Sequence, residues 1–121
     1  MREIKFRAWD NNSSLMINVF TLYNEGTGSV IPQTDQHSST TGTERYKIMQ
    51  YTGLKDKNSK EIYEGDIVFE PKMRKKAVVS WRNERATFWL TDGKEREILL
   101  MLENNRYEII GNIYENPELI K

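Results

Sequence analysis

The chain has no cysteine, one histidine and three prolines. The absence of thiols excludes a disulfide framework, thiolate zinc sites, iron–sulfur clusters and cysteine nucleophiles, and it fits a reducing compartment. With a single imidazole, zinc would need several carboxylates, an unusual donor set. Neither sign of charge is in excess: Lys plus Arg number 18, Asp plus Glu number 18, and the net charge is zero. A dedicated nucleic-acid domain carries a basic excess that is missing here, although a local basic patch remains open. Zero net charge also removes self-repulsion and eases self-association. No apolar run approaches the roughly 18 residues of a spanning helix, so no membrane segment is expected. The opening Met1-Arg2-Glu3-Ile4-Lys5-Phe6-Arg7 alternates charge and hydrophobe without the apolar stretch of a secretory signal. A cytoplasmic location is therefore expected.

What is present is a polar chain of one-domain size. It has 121 residues, 37% apolar and 30% charged, and a mean hydropathy of −0.74. Such a chain can bury one narrow core. In residues 3–9, Ile4, Phe6 and Ala8 alternate with Glu3, Lys5 and Arg7, the period of two of a half-buried strand. Asp10-Asn11-Asn12-Ser13-Ser14 is dense in turn formers. Residues 15–23 resume alternation, with Leu15, Ile17 and Val19 against Met16, Phe20 and Leu22. Together these segments predict a β-hairpin.

Residues 24–44 are polar, and Val30 and Ile31 are their only large hydrophobes. The composition predicts a long loop, either disordered or partner-contacting. Strand character returns at 45–51 and again at 67–69. Ala77, Val79 and Trp81 alternate with Lys76, Val78 and Ser80; Ala86, Phe88 and Leu90 alternate with Thr87, Trp89 and Thr91. Asp92-Gly93 is the strongest hairpin signal. The apolar run 98–102 suits a strand or a short helix. Residues 106–114 close the pattern, and Gly111 inside them suggests a bulge or a close backbone approach. Short strands at this spacing predict a mainly β fold: a small, partly open β-barrel, SH3-like or similar. The whole chain, 1–121, is expected to be one domain, with an N-terminal hairpin (1–23), a flexible loop (24–44) and a barrel region (45–116).

Sites of chemistry are sparse. Gly26-Thr27-Gly28 is a lone Gly-x-Gly in a polar loop, without the Lys-Ser/Thr and helix of a phosphate cradle. His37 lies among Asp35, Ser38 and Ser39, but a mobile loop cannot hold an oriented triad. Asp56, Glu61, Glu64 and Asp66 cluster in sequence, as a hard-metal or acid/base site would. They also read as turn and strand-entry residues. No catalytic residue, cofactor or metal is expected.

Surfaces offer more. Lys72, Arg74, Lys75 and Lys76, with Arg82 and Arg85 further on, stand near Trp81 and Trp89 in sequence. Cations beside aromatic platforms are the means of gripping single strands. Trp9 and Trp89 fall opposite the inferred core faces. With Tyr51 and Tyr63, they are the candidate anchors for protein–protein contact.

Three blocks carry a family resemblance: the start, Met1-Arg2-Glu3-Ile4-Lys5-Phe6-Arg7-Ala8-Trp9-Asp10; the middle, Met49-Gln50-Tyr51-Thr52-Gly53-Leu54-Lys55-Asp56-Lys57-Asn58 through Glu64-Gly65-Asp66-Ile67-Val68; and the end, Tyr107-Glu108-Ile109-Ile110-Gly111-Asn112-Ile113-Tyr114-Glu115-Asn116-Pro117-Glu118-Leu119. In this order they resemble the YopX family of bacteriophage and prophage proteins. Ser59 stands where that pattern expects Gly. The resemblance implies a β-barrel-like, homo-oligomeric protein of the host cytoplasm and carries over no catalytic residues. The expected function is thus a non-enzymatic protein-binding module whose partners are itself and a host or phage protein. Nucleic-acid binding through 72–85 is the second reading, and a carboxylate-dependent enzyme around Glu61 to Asp66 the third.

Overall fold

In the computed structural model the described residues are 4–23, 29–32, 40–41, 45–72, 74–83, 86–92, 98–101 and 103–120. The class is mainly β, with a curled half-barrel sheet and a second sheet. The chain divides into two compact units, Glu3–Gln50 and Tyr51–Lys121.

The first unit contains β1 (Phe6–Asp10), β2 (Leu15–Tyr23), β3 (Ser29–Pro32), β4 (Thr40–Thr41) and the start of β5 (Tyr46–Lys55). They lie in the order β4-β3-β2-β1-β5, every neighbour antiparallel. The expected hairpin is β1–β2, with Ala8 opposite Ile17 and Asp10 opposite Leu15. Its turn is organised by one carboxylate. Asp10 accepts from the Asn12 amide at 2.9 Å, the Ser13 hydroxyl at 2.9 Å and the Arg45 guanidinium at 3.2 and 3.3 Å. The ion pair with Arg45 holds this carboxyl below its ordinary value against the opposing effect of burial, with help from Asn12 and Ser13.

The long loop expected over 24–44 is corrected in part, since β3 and β4 lie within it. Strand addition to β2 satisfies backbone donors and acceptors, a contribution that composition does not register. Val30 and Ile31 fall in β3. Residues 24–28, 33–39 and 42–44 lie outside the described residues, and with them Gly26-Thr27-Gly28 and His37.

β5 crosses the boundary between the units. Its residues 46–50 pair with β1, while Tyr51 and Lys55 pair with Tyr63 and Glu61 of β6 (Glu61–Tyr63). The second unit continues with β7 (Asp66–Glu70), β8 (Lys75–Arg82), β9 (Thr87–Thr91), β10 (Ile98–Met101), β11 (Glu108–Asn112) and a 3-10 helix (Pro117–Ile120) that packs against β8. The sheet order is β10-β9-β8-β7-β11. Ile98–Met101 of the 98–102 run form a strand, antiparallel to β9, and residue 102 lies outside the described residues. Residues 93–97 of the Asp92-Gly93 connection lie outside the described residues. The register shift in β11 falls between Ile109 and Gly111. Asn116 packs there so closely that a Cβ on Gly111 would sit 2.5 Å from its Oδ1.

The register sorts the second unit's side chains. Val68 faces Ala77, and Val79 faces Leu90. These four, with Ile62, Phe88 and Tyr107, form its buried core, and Leu54 and Ile109 pack against them. Trp81 shares this face but stands near the end of β8. It is 39% exposed, packs edge-on against Phe88 at 5.0 Å and donates its indole N–H to Asn83 at 2.7 Å.

Candidate functional site

The clustered carboxylates are engaged in holding the backbone. Asp56 is fully buried, and its two oxygens accept the amides of Asn58 (2.8 Å), Lys60 (2.9 Å) and Ile109 (3.1 Å). Burial pushes its pKa up, but these three bonds and the nearby Lys60 charge together hold it below the ordinary value. Asp66, also buried, accepts the Tyr63 amide at 2.8 Å and so closes the turn through Gly65, whose φ is +89°. Among the described residues no group of three His, Cys, Asp or Glu side chains could hold a metal ion. This arrangement gives Asp56 and Asp66 structural work in the turns they were expected to form.

A buried ion pair was invisible in the sequence. Glu70 lies at the end of β7, 0% exposed, and accepts from Arg106 at 3.0 Å and from the Lys72 amide at 2.8 Å. Arg106 also reaches Glu103. Hydrogen bonding to Glu70 raises the guanidinium pKa against a smaller opposing effect of burial, and Glu103 adds to the rise. The partners are 36 residues apart, a separation at which no local pattern links them.

The four aromatic anchor candidates are distributed differently from expectation. Tyr51 and Tyr63 are corrected to core residues. They sit directly opposite each other on β5 and β6, their rings 5.5 Å apart and tilted by 40°, with exposures of 4% and 9%. Each buries the other, so neither is offered to a partner. Trp9 and Trp89 are half-buried. The Trp89 indole nitrogen is shielded and has no hydrogen-bond partner among the described residues.

The open apolar surface lies elsewhere, on one face of the first unit. Ile17, Ala8 and Ile48 form a row across β2, β1 and β5. Ala8 is fully buried between its larger neighbours, and Ile17 and Val19 pack against the Ala8–Tyr46 cluster. At the margins Leu15 is 59% exposed and Ile48 36%. A single exposed Leu carries no information, but a contiguous apolar set on one sheet face does. The alternation of Leu15, Ile17 and Val19 was legible; that their face is left partly open was not.

The basic residues also separate. Lys72, Arg74, Lys75 and Lys76 gather at the β7–β8 hairpin and are all exposed. Arg82 is half-buried at the other end of β8, roughly 20 Å from Lys76 at about 3.3 Å per residue. A single patch over 72–85 is therefore corrected to a patch at the hairpin tip. Arg85 lies outside the described residues.

With the fold and these surfaces defined, comparison with known proteins assigns the class. The family model described as YopX protein matches residues 5–121, and the chain belongs to that family. It is similar to protein EF1440 from Enterococcus faecalis, whose crystal structure matches over 100% of both chains at 30% identity, with a TM-score of 0.67. No curated protein matches it. Among the described residues no helix is long and apolar enough to cross a membrane.

Proposed function

We propose that this YopX-family chain is a non-enzymatic phage or prophage accessory protein of the host cytoplasm that acts by binding protein, and that it self-associates through the β2-β1-β5 face of its first unit. The observation that carries the reading is the exposure of Leu15 (59%) and Ile48 (36%) on the same face as half-buried Ile17 and Val19. Covering such a face removes apolar area from water, at about 25 cal/mol per Å2. The zero net charge opposes association no further. The non-enzymatic part draws support from the carboxylates Asp56 and Asp66, whose oxygens bond backbone amides.

Sedimentation equilibrium of the wild type and of Leu15→Lys/Ile48→Lys tests this. The wild type is expected to form an oligomer and the variant a monomer with an unchanged far-UV circular dichroism spectrum. A wild type that stays monomeric up to its solubility limit defeats the self-association reading.

A further inference from the structure

We infer that the β7–β8 hairpin is a contact site for single-stranded nucleic acid, with Lys72, Arg74, Lys75 and Lys76 on the phosphates and the Phe69 ring under a base. This is a second surface, independent of the apolar face in the first unit.

The argument rests on compensation. Across the chain the charges cancel, yet these four cations are exposed, and no ion pair among the described residues involves them. Two acids in neighbouring positions are committed to other cations. Glu70 stands opposite Lys75 in the ladder, but it is buried and paired with Arg106 at 3.0 Å. Glu108 stands opposite Phe69 but pairs with Lys57 at 3.7 Å. Among the described residues the tip therefore presents positive charge without local neutralisation.

The end of β7 is also tied to the residues that follow it. The Lys72 amide is tied to Glu70, and Arg74 adopts a left-handed φ of +52° between the strands. Phe69, 37% exposed, lies directly opposite Lys76 on the sheet face opposite to that of Val68 and Ala77. An open aromatic ring beside a lysine is a stacking platform with a phosphate contact within reach. Bases inside a duplex are already stacked and cannot occupy it, which selects the single strand.

The test is fluorescence anisotropy of the full chain with a labelled oligothymidylate across a salt series. Four phosphate contacts at about −0.7 each give a slope near −3 in log K against log salt. Lys75→Gln/Lys76→Gln should flatten the slope to about half. Lys47→Gln/Lys55→Gln removes the same charge from other exposed positions and should leave it unchanged. Phe69→Ala should weaken binding about tenfold with the slope retained. Absence of binding at low salt overturns the proposal. So does equal weakening by the two double variants, or binding to polyglutamate as tight as to the oligonucleotide. Duplex binding as tight as single-strand binding, with Phe69→Ala silent, overturns the single-strand assignment. Failure here leaves the oligomer measurement untouched, because none of these residues lies on the apolar face.

Discussion

Replacing Asp56 by Ala strips three backbone amides of their acceptor at once. Asn58 and Lys60 are exposed residues of the turn, so water can reach their amides in part; Ile109 is more enclosed. Counting about 1 kcal/mol for each of the first two and about 2 for Ile109 gives a loss of about 4 kcal/mol. Against a typical domain stability of about 5–15 kcal/mol, that is a large fraction. Asp56→Asn is expected to cost about 2 kcal/mol, since its remaining oxygen can serve the turn while its amide faces the Ile109 N–H. Urea unfolding followed by tryptophan fluorescence measures both, and hydrogen exchange at the Ile109 amide reports the long-range bond directly. A cost below about 1 kcal/mol for Asp56→Ala would refute the claim that this carboxylate organises the turn. The pH dependence supplies an independent sign. Asp56 has a folded pKa below the ordinary carboxylate value of 3.8. Its contribution is complete well above that value and is lost as pH falls from there through the depressed folded value. The Asn variant should therefore lose less stability than the wild type across that acid window.

Three further outcomes follow from the same geometry. Gly111→Ala places a methyl 2.5 Å from Asn116 Oδ1, which also accepts the Asn112 amide; it should cost about 2–3 kcal/mol in a urea melt, and adding Asn116→Ala should recover part of it. Ser59 holds a left-handed φ of +67°, so Ser59→Gly should stabilise by about 0.5–1 kcal/mol, whereas Ser59→Val should lower the denaturant midpoint. Arg106→Ala leaves the buried Glu70 carboxylate without its cation, and its midpoint should fall further than that of Glu70→Gln/Arg106→Met, in which no charge is stranded.

The strands were largely readable because alternation survives on both sheets. The faces Leu15-Ile17-Val19 and Ala77-Val79-Trp81 each share one side of a sheet in the sequence pattern and in the register alike. What alternation cannot give is how completely a face is covered. Tyr51 and Tyr63 looked like surface aromatics until strand pairing set them opposite each other. Leu15 shares its alternating face with the half-buried Ile17 and Val19, yet it stands more than half exposed. Residues 29–32 escaped because backbone pairing along β2 leaves no mark in composition. Gly111 was the one position where a single residue announced tertiary detail: both the bulge and the close approach occur there. The split of the basic region followed from length alone, since an eight-residue strand carries Arg82 away from the hairpin.

Asp56 makes bonds of two very different ranges with one side chain. Its partners Asn58 and Lys60 are two and four residues away, and Ile109 is 53. The cost of closing a loop rises with the logarithm of its length, so the turn can form early while the tie to β11 waits for the chain between them to be ordered. The carboxylate thus takes part in folding twice. Asp56→Ala should slow folding through the lost turn and speed unfolding through the lost tie. Asp56→Asn, which keeps a turn acceptor, should act mainly on unfolding, so that the two variants share a raised unfolding arm of the chevron and differ in the folding arm.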